Sequence, residues 1–265
     1  MAVPENLDEL FVTHPVSYKT IYDVTFMIEV KGLSKHYGAL VAVDNLSFHV
    51  AEGDVLGFLG PNGAGKSTTM KMLTGFLGPS SGSISICGFD IETQALEAKK
   101  IIGYLPEGAP CYGDMTVNDF LHFIADIRRI PAHLKKQSID SAIEKIELAL
   151  VLNQTIDTLS KGFKRRVGLA QAILHDPKVL ILDEPTDGLD PNQKHHVRQL
   201  IQNLAKDKIV IVSTHILEEV SAVCTRAMII NRGKLIVDDT PAGLAARSSS
   251  GKLDDVFRNL TGASA

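Results

Sequence analysis

Eight consecutive residues, Gly60-Pro61-Asn62-Gly63-Ala64-Gly65-Lys66-Ser67, have the types and spacing needed to hold a chain of phosphates. Glycines let backbone N–H groups turn inward around phosphate oxygens, where a side chain would collide. A helix opening at Lys66 aims its positive end at the bound anion. Lys66 then reaches the outer phosphates, and Ser67 offers a hydroxyl oxygen to Mg²⁺. Farther along, the apolar run Val179-Leu180-Ile181-Leu182 ends in Asp183-Glu184. Asp183 suits Mg²⁺, directly or through a water. Glu184 falls on the opposite side of the strand axis and can polarise an attacking water. Alone, a strand ending in Asp-Glu is most often a solvated strand end. Beside a phosphate loop it reads as the second half of one site, because open α/β sheets bind ligands at their carboxyl edge.

The elements that must position these groups follow from periodicity. Short β-rich runs alternate with helical patterns, which predicts a largely parallel α/β sheet. Strands are expected at 28–30, 41–50, 55–59, 83–87, 101–105, 179–182, 209–213, 227–230 and 234–237. The first of these form an N-terminal antiparallel β subdomain. Helices are expected at 66–77, 93–100, 163–175, 191–205 and 216–223. From Thr116 to about Leu152 the pattern is purely helical, with Val117, Phe120, Leu121, Phe123, Ile124 and Ile127 on one face. Pro131 opens a second helix there, where its missing N–H does no harm. This block, about 108–158, reads as a helical subdomain inserted into the core. Residues 1–26 stand outside the pattern as an extension. Ser248-Ser249-Ser250-Gly251 reads as a flexible link to a tail over 246–265.

Composition narrows the class. Among 265 residues, 45% are hydrophobic and 22% charged, ordinary for a globular chain. A net charge of −4 with no Trp and 6% aromatics gives no case for direct nucleic-acid binding. The apolar runs are strand-length and none spans a membrane. The start, acidic and without an apolar h-region, predicts no signal peptide. Three distant cysteines, Cys87, Cys111 and Cys224, form neither a disulfide framework nor a metal knuckle, and reduced thiols are expected.

Three further segments carry a resemblance. Leu159-Ser160-Lys161-Gly162-Phe163 precedes Asp183, Asp187-Gly188-Leu189-Asp190 follows Glu184, and Ser213-Thr214-His215 ends the next strand. In that order they resemble the ATP-binding subunit of ABC transporters, from about Ile28 to Leu244. The resemblance implies a P-loop nucleotide-triphosphatase core that hydrolyses ATP with Mg²⁺. It places Tyr37 against adenine and extends the phosphate contacts from Gly60 to Thr68. It assigns Ser160 and Gly162 to the γ-phosphate of ATP held by an opposite subunit. Asp190 matches the loop joining the two sites across a dimer, and His215 the residue that hydrogen-bonds the γ-phosphate. Lys66, Glu184 and His215 are then the catalytic set, and Ser67, Glu107 and Asp183 the metal set.

Two positions depart from the family pattern. Lys161 and Phe163 replace the third and fifth residues of Leu-Ser-Gly-Gly-Gln, and Glu107 stands where the family usually carries Gln. Both departures resemble the branch whose ATPases pair with separate exporter-type membrane subunits, such as those of gliding, copper-enzyme assembly and drug efflux. The basic residues from Lys161 to Arg166 read as a solvated helix face or as added positive potential near a second ATP. The expectation is a cytoplasmic, peripheral ATPase pairing head to tail with another copy and touching a membrane permease through residues 108–158 and the Glu107 loop. The rivals are a non-transport ATPase of the same family, a P-loop kinase or GTPase, and an ATP binder without turnover. The first needs tandem domains or a long coiled coil, the second an acceptor lid or an Asn-Lys-x-Asp reader, the third the loss of Lys66 or Glu184.

Overall fold

Every residue of Val55–Leu59, Val179–Asp183 and Ile209–Thr214 is buried, the pattern of strands covered on both faces. The structure, a computed structural model, describes residues 27–262, so the expected extension over 1–26 lies outside the described residues. In chain order the first elements are β1 (Ile28–Tyr37), β2 (Leu40–Val50), β3 (Val55–Leu59), α1 (Lys66–Leu73), β4 (Ser81–Ile86) and β5 (Phe89–Asp90). Then come α2 (Ala95–Ile101), β6 (Ile102–Leu105), α3 (Val117–Ile127), α4 (Ala132–Ile146), α5 (Lys161–Ile173) and β7 (Val179–Asp183). The chain continues with α6 (Pro191–Leu204), β8 (Ile209–Thr214), α7 (Leu217–Val223), β9 (Arg226–Asn231), β10 (Lys234–Asp239), α8 (Pro241–Ala245) and α9 (Leu253–Thr261).

Two sheets result. A six-stranded sheet has the order β10-β9-β3-β8-β7-β6, parallel except for β10. A four-stranded antiparallel sheet has the order β2-β1-β4-β5. The α/β class, the mostly parallel core sheet and the antiparallel N-terminal strands are all as expected. Alternation along β7 divides the core. Leu180 and Leu182 face a cluster with α3–α6, whereas Val179 and Ile181 face one with β1, β2 and α1.

Register brings the site together. Leu59 pairs with Thr214, Asp183 with Ser213, and Leu105 with Leu182. The segments that follow β3, β6, β7 and β8 therefore leave the sheet at one carboxyl edge.

Several boundaries differ from the periodic reading. β1 runs on to Tyr37 through register shifts around Leu33 and Lys35. α1 stops at Leu73, because Thr74 bonds back to the Met70 carbonyl at 3.0 Å and Gly75 turns left-handed. The helical block has its break as expected, with Thr116 capping α3 and Pro131 preceding α4. The segment read as a tail holds α9, whose Leu253 is buried in one cluster with Leu59, Val220 and Ile229, with Phe257 and Leu260 packed against it. Ser248 to Gly251 forms a hydrogen-bonded turn ahead of it rather than an open link. All three cysteines are free, and burial pushes Cys111 up to about 11 and Cys224 up to about 12.

Candidate functional site

The phosphate loop joins β3 to α1, and two glycines show why it has this composition. A side chain on Gly60 would lie 2.4 Å from the Ile230 carbonyl oxygen. At Gly65, φ is +103° and a side chain would lie 2.4 Å from the Ala42 carbonyl oxygen. The loop is thus wedged between β9 and β2, with Ala64 also bonded to Pro61 and Gly233. Lys66, itself buried, donates to the Gly60 carbonyl at 2.7 Å and to that of Pro61 at 3.2 Å. Burial pulls its pKa down, and the charges of Glu184, Asp183 and Glu107 pull it back up. The four groups therefore share one electrostatic site. Ser67 and Thr68 are half-buried at the first turn of α1.

Asp183 is 1% exposed, and its Oδ1 is the only buried carboxylate oxygen among the described residues without a hydrogen-bond partner. A hard divalent cation beside it would satisfy that oxygen, so the residues fit Mg²⁺ held by Asp183 and Ser67. Glu184 follows in the left-handed region at φ +52°, a conformation that costs a non-glycine residue about 1–3 kcal/mol. Its N–H donates to the Ser213 carbonyl at 2.8 Å, and its Oε1 accepts from His215 Nδ1 at 2.9 Å. Burial raises the Glu184 pKa, while His215 and Lys66 partly offset the rise. A carboxylate displaced toward neutrality and oriented by an imidazole is suited to accept a proton from water. His215 is exposed, and one ring nitrogen is already committed to Glu184.

The other predicted residues lie at the rim. Tyr37 is exposed at the tip of the β1–β2 hairpin, with Lys35 Nζ 5.5 Å from its ring centre. Glu107 is exposed, yet its charge is felt by Lys66 and Arg165. Ser160 caps α5, accepting from the Phe163 N–H at 3.3 Å. A side chain on Gly162 would meet Gln193 Oε1 at 2.8 Å, and the Gln193 N–H is bonded by Asp190 at 3.0 Å. Ser160 and Asp190, both exposed, thus flank the buried Gly162 between the starts of α5 and α6.

Two site features were missed. Arg165 and Arg166, read as part of a solvated face or as positive potential near a second ATP, are 4% and 9% exposed and bonded to backbone carbonyls. The signal was in the spacing: 162, 165, 166, 169 and 173 lie on one helical stripe with Leu169 and Ile173. The second is Glu219, buried on α7, which accepts from both Thr186 and Thr214 and so ties together the loops after Glu184 and before His215.

Fold and site together define a nucleotide-hydrolysing P-loop ATPase. Residues 43–187 match the family model described as ABC transporter, and the chain belongs to that family as an ATP-binding subunit. It is 36% identical over 233 residues to the "Probable multidrug ABC transporter ATP-binding protein YbhF" of Escherichia coli (strain K12), covering 86% of this chain but only 40% of that protein. It is 38% identical to the "Nod factor export ATP-binding protein I" of Burkholderia pseudomallei (strain K96243), over 81% of this chain and 71% of that one. The solved "Structure of ATP binding subunit of ABC transporter" superposes with a TM-score of 0.81 at 28% identity, covering 88% of this chain and 99% of the other.

Proposed function

We propose that this chain drives transport through a separate membrane permease by hydrolysing ATP between two copies paired head to tail. The observation that carries the reading is the convergence of Lys66, Asp183, Glu184 and His215 at one sheet edge. In this scheme the inward N–H groups of Gly60 to Ser67 and the Lys66 ammonium hold the phosphates. Ser67 and Asp183 would hold Mg²⁺, which when bound would supply positive charge beside the phosphate oxygens. Glu184 takes a proton from the attacking water as its oxygen bonds to the γ-phosphorus and the bond to ADP breaks. His215 keeps the Glu184 carboxylate in place and meets the γ-phosphate. Ser160 and Gly162, at a helix start, serve the nucleotide of the opposite copy, and Asp190 lies between the two sites. Tyr37 would support adenine, and the exposed Glu107 is the third candidate to hold the metal.

A groove of about 1000 Å³ supports the permease partner. It runs between α2 and the inserted helices, and Phe76, Leu96, Ile127 and Leu134 stand exposed along it. Exposed apolar side chains rimmed by Lys99, Lys100, Arg128 and Arg129 suit the docking of a protein partner. Such docking would hold the ATPase at the cytoplasmic face of a membrane; no described helix is itself long and apolar enough to cross one. The names of the relatives, multidrug and Nod factor export, favour an exported organic cargo. The test is Glu184→Gln. Steady-state phosphate release should fall by about 10²–10⁴-fold while ATP binding persists; wild-type turnover would remove Glu184 from the base role.

A further inference from the structure

Arg165 sits where three functional segments meet. It belongs to α5, the helix that Ser160 caps, and its guanidinium is buried. Nη1 donates to the Pro106 carbonyl at 2.9 Å, immediately before Glu107. Nη2 donates to the carbonyls of both Asp183 and Glu184. The Glu184 backbone is left-handed, so its carboxylate direction depends on groups that fix its two peptide units. Three contacts do this. Ser213 takes the Glu184 N–H, the Asp187 N–H reaches the Glu184 carbonyl, and Arg165 binds that same carbonyl. Of these, only Arg165 also grips the β6 loop that leads toward the inserted helices.

We infer that Arg165 is a positioning residue that locks the Glu107 loop to the catalytic carboxylate of Glu184. A planar guanidinium is suited to this, because its fixed fork can hold carbonyls on two loops at once, which a single ammonium cannot. Movement of the Glu107 loop thereby moves the Glu184 peptide, and a shift of about 1 Å in a reacting group can cost about 10²-fold in rate. The inference rests on Glu184 acting as the base.

The experiment uses the full chain with Arg165→Lys and Arg165→Gln, each alone and in the Glu184→Gln background. Phosphate release gives kcat and KM, a fluorescent ATP analogue gives affinity, and thermal melting reports folding. Both single variants should lower kcat by about 30-fold or more, with KM and nucleotide affinity within about threefold of wild type. In the Glu184→Gln background, single-turnover hydrolysis should be unchanged by the Arg165 substitutions, because there is no base left to position. Wild-type kcat in Arg165→Lys, with Glu184→Gln still slow, overturns the inference alone. Fast turnover by Glu184→Gln overturns the base assignment instead. If the double variants lose rate further, or if both single variants lose cooperative melting and nucleotide affinity, Arg165 is a core strut and the inference fails.

Discussion

The carboxyl edge of the parallel sheet and the exposed patch at the start of α5 are built on opposite terms. At the sheet edge, Asp183 is buried, Glu184 is held in a strained conformation, and His215, Ser213 and Arg165 all bind it. At the α5 patch, Ser160 and Asp190 are exposed and spend their side chains on capping their own helices. Groups that perform chemistry must be fixed before the ligand arrives, and burial with redundant hydrogen bonds does that. Groups that meet another molecule must stay accessible, and helix starts keep backbone N–H groups free for an anion. In the proposed dimer the first region is complete within one copy, and the second does its work on the other copy's nucleotide.

The largest break in this contrast comes from Ser160→Arg. Hydrolysis should fall by at least about 10²-fold, the scale of losing one preorganised charge-stabilising donor. ATP affinity of the isolated chain should stay within a few-fold, as measured by equilibrium binding. Loss of that affinity would place Ser160 at its own chain's nucleotide instead.

The contrast sharpens at the groove, where His175 is half-buried, with Nε2 bonded to the Ile102 carbonyl at 3.1 Å and a buried Nδ1 that has no partner. Burial, and then the nearby charge of Arg128, hold its pKa down at about 4, against an ordinary 6.5. Between those values the unfolded chain binds the extra proton and the folded chain does not. Stability is therefore full above about pH 6.5 and falls as pH drops toward 4, by about 3 kcal/mol in all. Thermal melting from pH 7 to pH 4 should show that loss, and His175→Gln should flatten it.

The smallest effect belongs to Glu107, exposed at the rim yet within electrostatic reach of Lys66. A charged oxygen binds a hard cation better than an amide oxygen. Glu107→Gln should raise the Mg²⁺ needed for half-maximal ATPase activity by about twofold to fivefold, given the weakness of exposed charges. Superimposable Mg²⁺ titrations would show that Glu107 does not touch the metal.

The same contrast explains what could be read from the sequence. The phosphate loop and Asp183-Glu184 are contiguous, and each residue type there has one chemical use, so local order revealed them. Their convergence also followed, because parallel strands carry their ligands at one edge. The burial of Arg165 and Arg166 was not legible because arginine usually stays in water, and only tertiary carbonyls and, for Arg166, the Glu147 carboxylate make it tolerable. The role of Glu219 needs Thr186 and Thr214 brought together from separate loops, a contact no local pattern encodes. Helix α9 follows a serine-rich turn, and its amphipathic stripe of Leu253, Val256, Phe257 and Leu260 is short. Asp190 caps α6 by accepting from the Gln193 N–H, and the Pro191 that follows it suits the first helical position, a helix start legible from the order of the two residues.

In the proposed cycle ATP closes two copies around sites each built from both. Glu184→Gln, mixed with ATP and Mg²⁺ and passed over a size-exclusion column, tests it most directly. A dimer should form only with nucleotide and be lost when Ser160→Arg is added to the same chain. A variant that binds ATP at full stoichiometry yet elutes as a monomer at every concentration would contradict it.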